Sequence, residues 1–296
     1  MTSELADIVI IGHLAKDINE IDGKSVLSLG GAVYYGGIAG SHMGLKITVI
    51  TRLAHKDFHF LEVFKRNGIK YFAYPSTETS GLKNIYLSSN MEFRDYFPLG
   101  FAGLFKKEEI PEINTKFFVV GPIIAGEIDL ELLDYIKKKY PEKICLDIQG
   151  FIRFRNESKV YYSPIPIEEK KEILANVNVL KVDQTEAEIL TDQKKISKAA
   201  EDLLRCGPEE ILITHEGGIS LFTKSESYNF AWKNRDFLGR TGRGDTAFIS
   251  YLGSRITKSP HEALKFAAAL TSLKMELPGP FALPLFQVTS LIRKEY

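Results

Sequence analysis

An alternation along the chain constrains its fold more than any other feature. Short apolar runs are each followed by a segment with helical spacing. Residues 7–12 read as a strand buried on both faces, and 47–50, 70–74, 117–120, 143–147, 177–182 and 210–214 repeat the pattern. Between them, residues 31–44, 58–67, 129–140, 184–191, 194–206, 241–257 and 260–275 carry apolar side chains at helical spacing. Strands alternating with helices imply βαβ units. The expected fold is therefore α/β, with a mostly parallel central sheet and helices on both faces. No linker or composition shift divides the chain, so residues 1–296 are expected to form one domain.

Two segments break the alternation. Residues 17–29 read as two short strands around an Asp22-Gly23 turn. Residues 80–99 alternate polar and apolar positions and carry Asn84, Tyr86, Phe93, Arg94, Tyr96 and Phe97. Both fit a small β-sheet standing off the main domain. That sheet is either a lid that closes on a ligand and excludes water or a pair of surface hairpins. Aromatics at Tyr86, Phe93 and Tyr96 suit the pairing of two lids in a homodimer.

Composition removes several classes of function. The 38 Lys and Arg are balanced by 38 Asp and Glu, whereas a nucleic-acid binder carries a basic surplus. Two cysteines, Cys145 and Cys206, are too few for a disulfide scaffold and fit a reduced, cytoplasmic interior. Residues 1–7 lack the basic start of a signal peptide. The uncharged run 25–45 is too rich in glycine to span a membrane, and Pro278, Pro280 and Pro284 break the run 277–292.

The most informative stretch is 239–247, GRTGRGDTA. Gly242 and Gly244 precede an apolar helical run, so backbone N–H groups converge at a helix N-terminus, which favours a phosphate. Asp245 falls in the first turn, where the helix terminus favours its anion and so a group able to accept a proton. Arg243 adds a cation. The residues fit either a phosphoryl-transfer site or an ordinary helix cap. A dinucleotide fingerprint is excluded by position, because the motif lies late in the chain and is followed by helix upon helix. No P-loop and no G-x-S-x-G elbow occur. His55 and His59 lack the intervening Glu and third ligand of a zinc helix, so they read as surface residues.

Asp183 ends the strand 177–182, and Glu186 follows three residues later. This spacing fits a capping box, or a Glu186 that points into a cleft and holds Mg²⁺ through water. Asp17, just past the first strand, and the pair Gly30-Gly31 suit the grip of vicinal hydroxyls, and Asp147-x-Gln149-x-x-x-Arg153 ends a further strand.

Taken in order, these residues resemble the ribokinase-like (PfkB) carbohydrate kinases, nearest to their inositol and sugar kinase branch. The resemblance implies an ATP- and Mg²⁺-dependent kinase acting on a hydroxyl of a small sugar or cyclitol. It implies Asp245 as base, with the amides of Gly242, Arg243 and Gly244 as anion hole. Asp17, Gly30, Gly31, Asn84, Arg94 and Gln149 would hold the acceptor. Asp183, Glu186, Thr214, Gly218 and Ala268 would serve the nucleotide, with residues 267–274 flanking adenine. The chain departs from the family pattern at Asp183, where Asn is usual, at Arg243, where Ala is usual, and at His215 in the nucleotide turn. Those departures keep a nucleoside kinase and a non-catalytic sensor as alternatives.

Overall fold

The computed structural model describes residues 5–21, 23–86, 94–141 and 144–296. Its strands are β1 (Leu5–Ile11), β2 (Ala15–Ile21), β3 (Lys24–Gly30), β4 (Ile47–Ala54), β5 (Lys70–Ser76), β6 (Gly81–Tyr86), β7 (Arg94–Gly100) and β8 (Asn114–Val120). β9 (Ile144–Asp147), β10 (Arg153–Arg155), β11 (Val160–Tyr162), β12 (Val179–Asp183), β13 (Glu210–His215), β14 (Gly218–Thr223) and β15 (Ser227–Ala231) follow. The helices are α1 (Ala32–His42), α2 (Glu62–Arg66), α3 (Leu130–Lys139), α4 (Gln149–Ile152), α5 (Ile167–Ala175), α6 (Gln184–Thr191), α7 (Ile196–Leu204), α8 (Arg243–Arg255), α9 (Pro260–Met275) and α10 (Leu285–Glu295).

Nine strands form the central sheet in the order β15-β14-β13-β12-β9-β8-β1-β4-β5. From β13 to β5 every neighbouring pair is parallel, and β14 and β15 add antiparallel at one edge. The expected mostly parallel sheet is therefore present. Its strands read as continuous apolar runs because both faces are covered. With a side-chain period of two, Ile8 and Ile10 of β1 pack with Val33, Phe64, Phe248 and Leu264 of α1, α2, α8 and α9. Val9 and Ile11 pack on the other face with Leu133, Ile173, Leu190 and Leu203 of α3, α5, α6 and α7.

Two helices begin directly after a proline. Pro166 and Pro284 are the N-caps of α5 and α10, positions where no intrahelical N–H is required. The prolines of the run 277–292 thus precede a helix rather than interrupting one. Residues 58–67 also differ from expectation: a 3-10 turn, His55–Leu61, comes before the short α2. His55 and His59 are exposed.

The two interrupting segments form one four-stranded sheet, order β3-β2-β6-β7. Asp22 and Phe93 lie outside the described residues. The chain passes between body and lid four times, and polar groups tie those crossings together. His13 Nδ1 lies 2.7 Å from Ser80 Oγ, which also accepts the Ala102 N–H at 3.0 Å. Lys16 of the lid pairs with Asp57 of the body at 3.0 Å. Among the described residues no helix is long and apolar enough to cross a membrane.

Gly12 and Gly121 close the adjacent strands β1 and β8, and a Cβ at Gly12 would lie 2.4 Å from the Gly121 carbonyl oxygen. Gly12→Ala is therefore expected to cost about 1–3 kcal/mol and to lower the calorimetric melting temperature by several degrees. An unchanged midpoint would show that these strand ends are not packed backbone to backbone.

Candidate active site

A cavity of about 470 Å³ opens where the C-terminal ends of β8, β9, β12 and β13 meet the inner face of the lid and the start of α8. Open parallel sheets place ligands at this edge.

The start of α8 is shaped by glycine. Gly242, its N-cap, has φ +80°, and a Cβ there would lie 2.2 Å from the Tyr35 ring. The Arg243 N–H donates to the Arg240 carbonyl at 3.1 Å and the Thr246 N–H to that of Gly242 at 3.0 Å. Of the three amides expected to form the anion hole, that of Arg243 is thus taken up in a turn, and the first helical turn offers that of Asp245 beside those of Gly242 and Gly244. The Arg243 side chain lines the cavity with its guanidinium 5.9 Å from the Trp232 ring centre.

Asp245 faces the same space. Burial pushes its carboxyl up to about 6, Asp147 adds to the rise, and Lys181, Arg153 and Lys274 oppose it. The helix terminus favours the anion, but desolvation outweighs it. The result is a carboxylate still mostly ionised at neutral pH that takes up a proton near pH 6.

Lys181, on β12, is buried at 2.9 Å from Asp147 and 3.7 Å from Glu186. Burial works against its ammonium, but Asp147, Glu186 and Asp183 together outweigh that and raise its pKa. A Cβ at Gly244 would lie 3.0 Å from this ammonium, so the cation sits against the first turn of α8.

The two readings of the 183–186 segment divide between its residues. Glu186 accepts the Asp183 N–H at 2.7 Å while Asp183 accepts the Glu186 N–H at 2.8 Å, a complete capping box. Asp183 lines the cavity. Glu186 is fully buried behind the wall, and burial and the adjacent Asp183 raise its pKa.

On the lid side, Asp17 stands within β2 rather than just past β1, and its carboxylate accepts the Leu82 N–H at 2.8 Å. A Cβ at Gly30 would lie 2.4 Å from that carboxylate, so Gly30 makes room for Asp17. Asn84 is oriented by a 2.9 Å bond to Asn19. Arg153 is held between Tyr96 of the lid and Tyr162 of β11, 5.3 and 5.8 Å from the ring centres.

Asp17, Gly31, Asn84, Gln149, Asp183, Thr214, Gly242, Arg243, Gly244 and Asp245 all line the cavity. Gly218 does not: it lies buried where β14 meets β15, and a Cβ there would be 2.3 Å from the Phe230 carbonyl. Ala268 does not either, being fully buried in α9 against the sheet. Arg94 opens β7, and its side chain lies outside the description. Sequence reasoning passed over Tyr35, Tyr162, Arg240 and Thr241, which come from a helix face, a short hairpin and a loop with no distinctive pattern.

No known family model matches the chain, and no curated protein matches it. Solved structures do. One is a pyrophosphate-dependent kinase in the ribokinase family complexed with a pyrophosphate analogue and myo-inositol, with a TM-score of 0.87 and 30% identity over 96% of this chain and 99% of that one. A pyrophosphate-dependent myo-inositol-1 kinase converted into a myo-inositol-3 kinase gives 0.88 and 30% identity over 96% and 98% of the two chains. Arabidopsis thaliana ribokinase complexed with ribose and ATP gives 0.74 at 19% identity over 98% and 99%, a likeness of fold alone. With 30% identity to the two pyrophosphate-dependent kinases over nearly the whole of both chains, this protein belongs to the ribokinase family of kinases.

Proposed function

We propose that the chain phosphorylates a hydroxyl of a small polyol, a sugar or a cyclitol such as myo-inositol, with inorganic pyrophosphate as the donor. One observation carries the choice of donor. Where the cavity is bounded by β12, β13 and α8, its lining is polar throughout: Lys181, Asp183, Gln184, Thr185, Glu188, Thr214, His215, Glu216, Arg240 and Arg243. The apolar lining residues Ala32, Leu82, Pro122 and Ile123 come from the start of α1, from β6 and from the loop after β8. A purine asks for an apolar slot, and α9, expected to flank adenine, turns Ala268 into the core. A diphosphate asks for cations and amides, which Lys181, Arg240, Arg243 and the α8 terminus supply. In this reading pyrophosphate stands where the resemblance implied ATP, the donor that solved family members hold. The same two solved kinases, described as pyrophosphate-dependent, agree with it.

In this reading Asp17, Asn84 and Gln149 hold the acceptor and Asp245 receives the hydroxyl proton. Catalysis rests on alignment and charge neutralisation, because a loose phosphoryl transition state leaves little covalent work. Among the described residues no three acidic, imidazole or thiol groups converge as a metal cage. A Mg²⁺ ion would be held by Asp183 and the donor's own oxygens, a donor set it accepts, and would neutralise phosphate charge. The free Cys145 and Cys206 fit a cytoplasmic setting. Tyr96 faces inward to Arg153, so lid pairing in a homodimer would use the outer Leu27, Phe97 and Leu99, which are exposed. Sedimentation as a monomer at high concentration would sink that pairing.

An acceptor panel of myo-inositol, ribose, fructose and nucleosides, each with pyrophosphate and with ATP, tests the reading by phosphorus NMR. Transfer to a polyol from pyrophosphate is expected. Transfer only from ATP overturns the donor, transfer only to nucleosides overturns the acceptor, and binding without transfer marks a sensor.

Asp245→Asn is expected to lower kcat by at least ~10² and to raise the melting temperature at pH 7. The folded pKa lies above the unfolded one, so the ionised carboxylate destabilises the fold above about pH 6 and a neutral amide does not. For the same reason kcat/KM of the parent should fall below about pH 6. Near-parental turnover in the Asn variant is incompatible with a base at this position.

A further inference from the structure

Lys274 lies in the last turn of α9 with 2% exposure. A lysine is rarely buried this far unless its charge is partnered. Its ammonium donates to the carbonyls of Gly239 and Thr241 and sits 5.0 Å from the centre of the Tyr35 ring. Both carbonyls belong to the loop that runs directly into α8. That loop is held from other sides as well. The Gly239 N–H donates to the Met275 carbonyl at 2.7 Å. A Cβ at Gly239 would lie 1.8 Å from the Leu277 carbonyl, and one at Gly242 would enter the Tyr35 ring.

Apolar packing alone does not call for a charge here, since a methionine has nearly the same length and volume. Burial lowers its pKa to about 7, with Asp245 opposing, and in either protonation state its N–H groups donate to the two carbonyls. Those two bonds are what a methionine could not supply. A peptide unit is planar and trans, so its C=O and N–H point in opposite directions. Drawing the Thr241 carbonyl towards α9 turns the Gly242 N–H away from α9. Thr241 and Gly242 both line the cavity.

We infer that Lys274 is a positioning residue for the anion hole: by fixing the Gly239 and Thr241 carbonyls it aims the Gly242 amide and sets the first turn of α8 at the transferred phosphoryl group. The inference deepens the kinase reading and rests on it. Lys274 touches neither donor nor acceptor in this role and acts only through the loop.

The test uses the full chain, with Lys274→Met and Lys274→Ala compared with the parent. Turnover is measured with myo-inositol and either pyrophosphate or ATP. Binding of methylenediphosphonate, a pyrophosphate analogue that cannot be split, is measured by calorimetry. Lys274→Met should retain the parent's near-ultraviolet dichroism and its KM for myo-inositol, lose on the order of 10²-fold in kcat, and bind the analogue more weakly. Lys274→Ala should regain turnover when methylammonium is added, because that ion restores a cation between the two carbonyls. Parental kcat and parental analogue affinity in Lys274→Met overturn the inference. If the Met variant does not fold, the Ala variant decides, and failure of methylammonium to restore turnover or analogue binding overturns it. A parent that binds the analogue but transfers phosphate to no acceptor fails the kinase reading instead, and the analogue affinities still decide the role of Lys274.

Discussion

An ammonium buried at the end of a central strand persists only if carboxylates surround it, and Lys181 organises the catalytic end of this molecule through that requirement. Its bond to Asp147 ties β12 to β9, and its approach to Glu186 ties the strand to α6. Its contact with Gly244 sets the strand against the start of α8. Removing one partner would leave an uncompensated charge in a dry interior, which is far worse than never having buried the pair. The same charges also act on Asp245. Asp147 raises Asp245 while Lys181 lowers it, so the group that orders the architecture also sets the acidity of the residue beside it.

The layered architecture was legible because a strand covered on both faces must be apolar at every position, and residues 7–12 and 210–214 are. The lid was legible for the complementary reason: residues 80–99 alternate, as a sheet with one solvated face requires. The inner positions of β7, Tyr96 among them, and the outer Phe97 and Leu99 follow that alternation. What failed has local causes. Proline was read as a breaker at 284, although it caps a helix there. Asp17 was placed past the first strand because the turn from β1 into the lid leaves little sequence between two strands. Ala268 enters the nucleotide site only through the resemblance, and helical spacing shows that a stripe exists and not what it faces.

Within the site, residue type was more legible than atomic role. Gly242, Gly244 and Asp245 lie where a glycine-rich helix start should put them, yet which amides remain available depends on turn bonds that the sequence does not reveal. Glu186 satisfied two patterns at once, and the capping box used its carboxylate. A trace of Lys274 was present in the sequence. It follows Ala263, Ala267 and Leu270 on the buried stripe of α9, a lysine in an apolar register. The balanced total charge of the chain hides this altogether, since ten polar residues crowd one end of one cavity.

The lid's inner face carries a further consequence. Asp17, Asn84 and Tyr96 belong to three different lid strands and all line the cavity, so under the proposed function the surface that recognises the acceptor is also the surface that keeps bulk water away. Fidelity and dryness are then a single property. An ill-fitting polyol that leaves the lid ajar admits water to the phosphoryl group, and water is itself an acceptor. Errors in recognition would therefore surface as idle consumption of the donor rather than as a wrongly phosphorylated product.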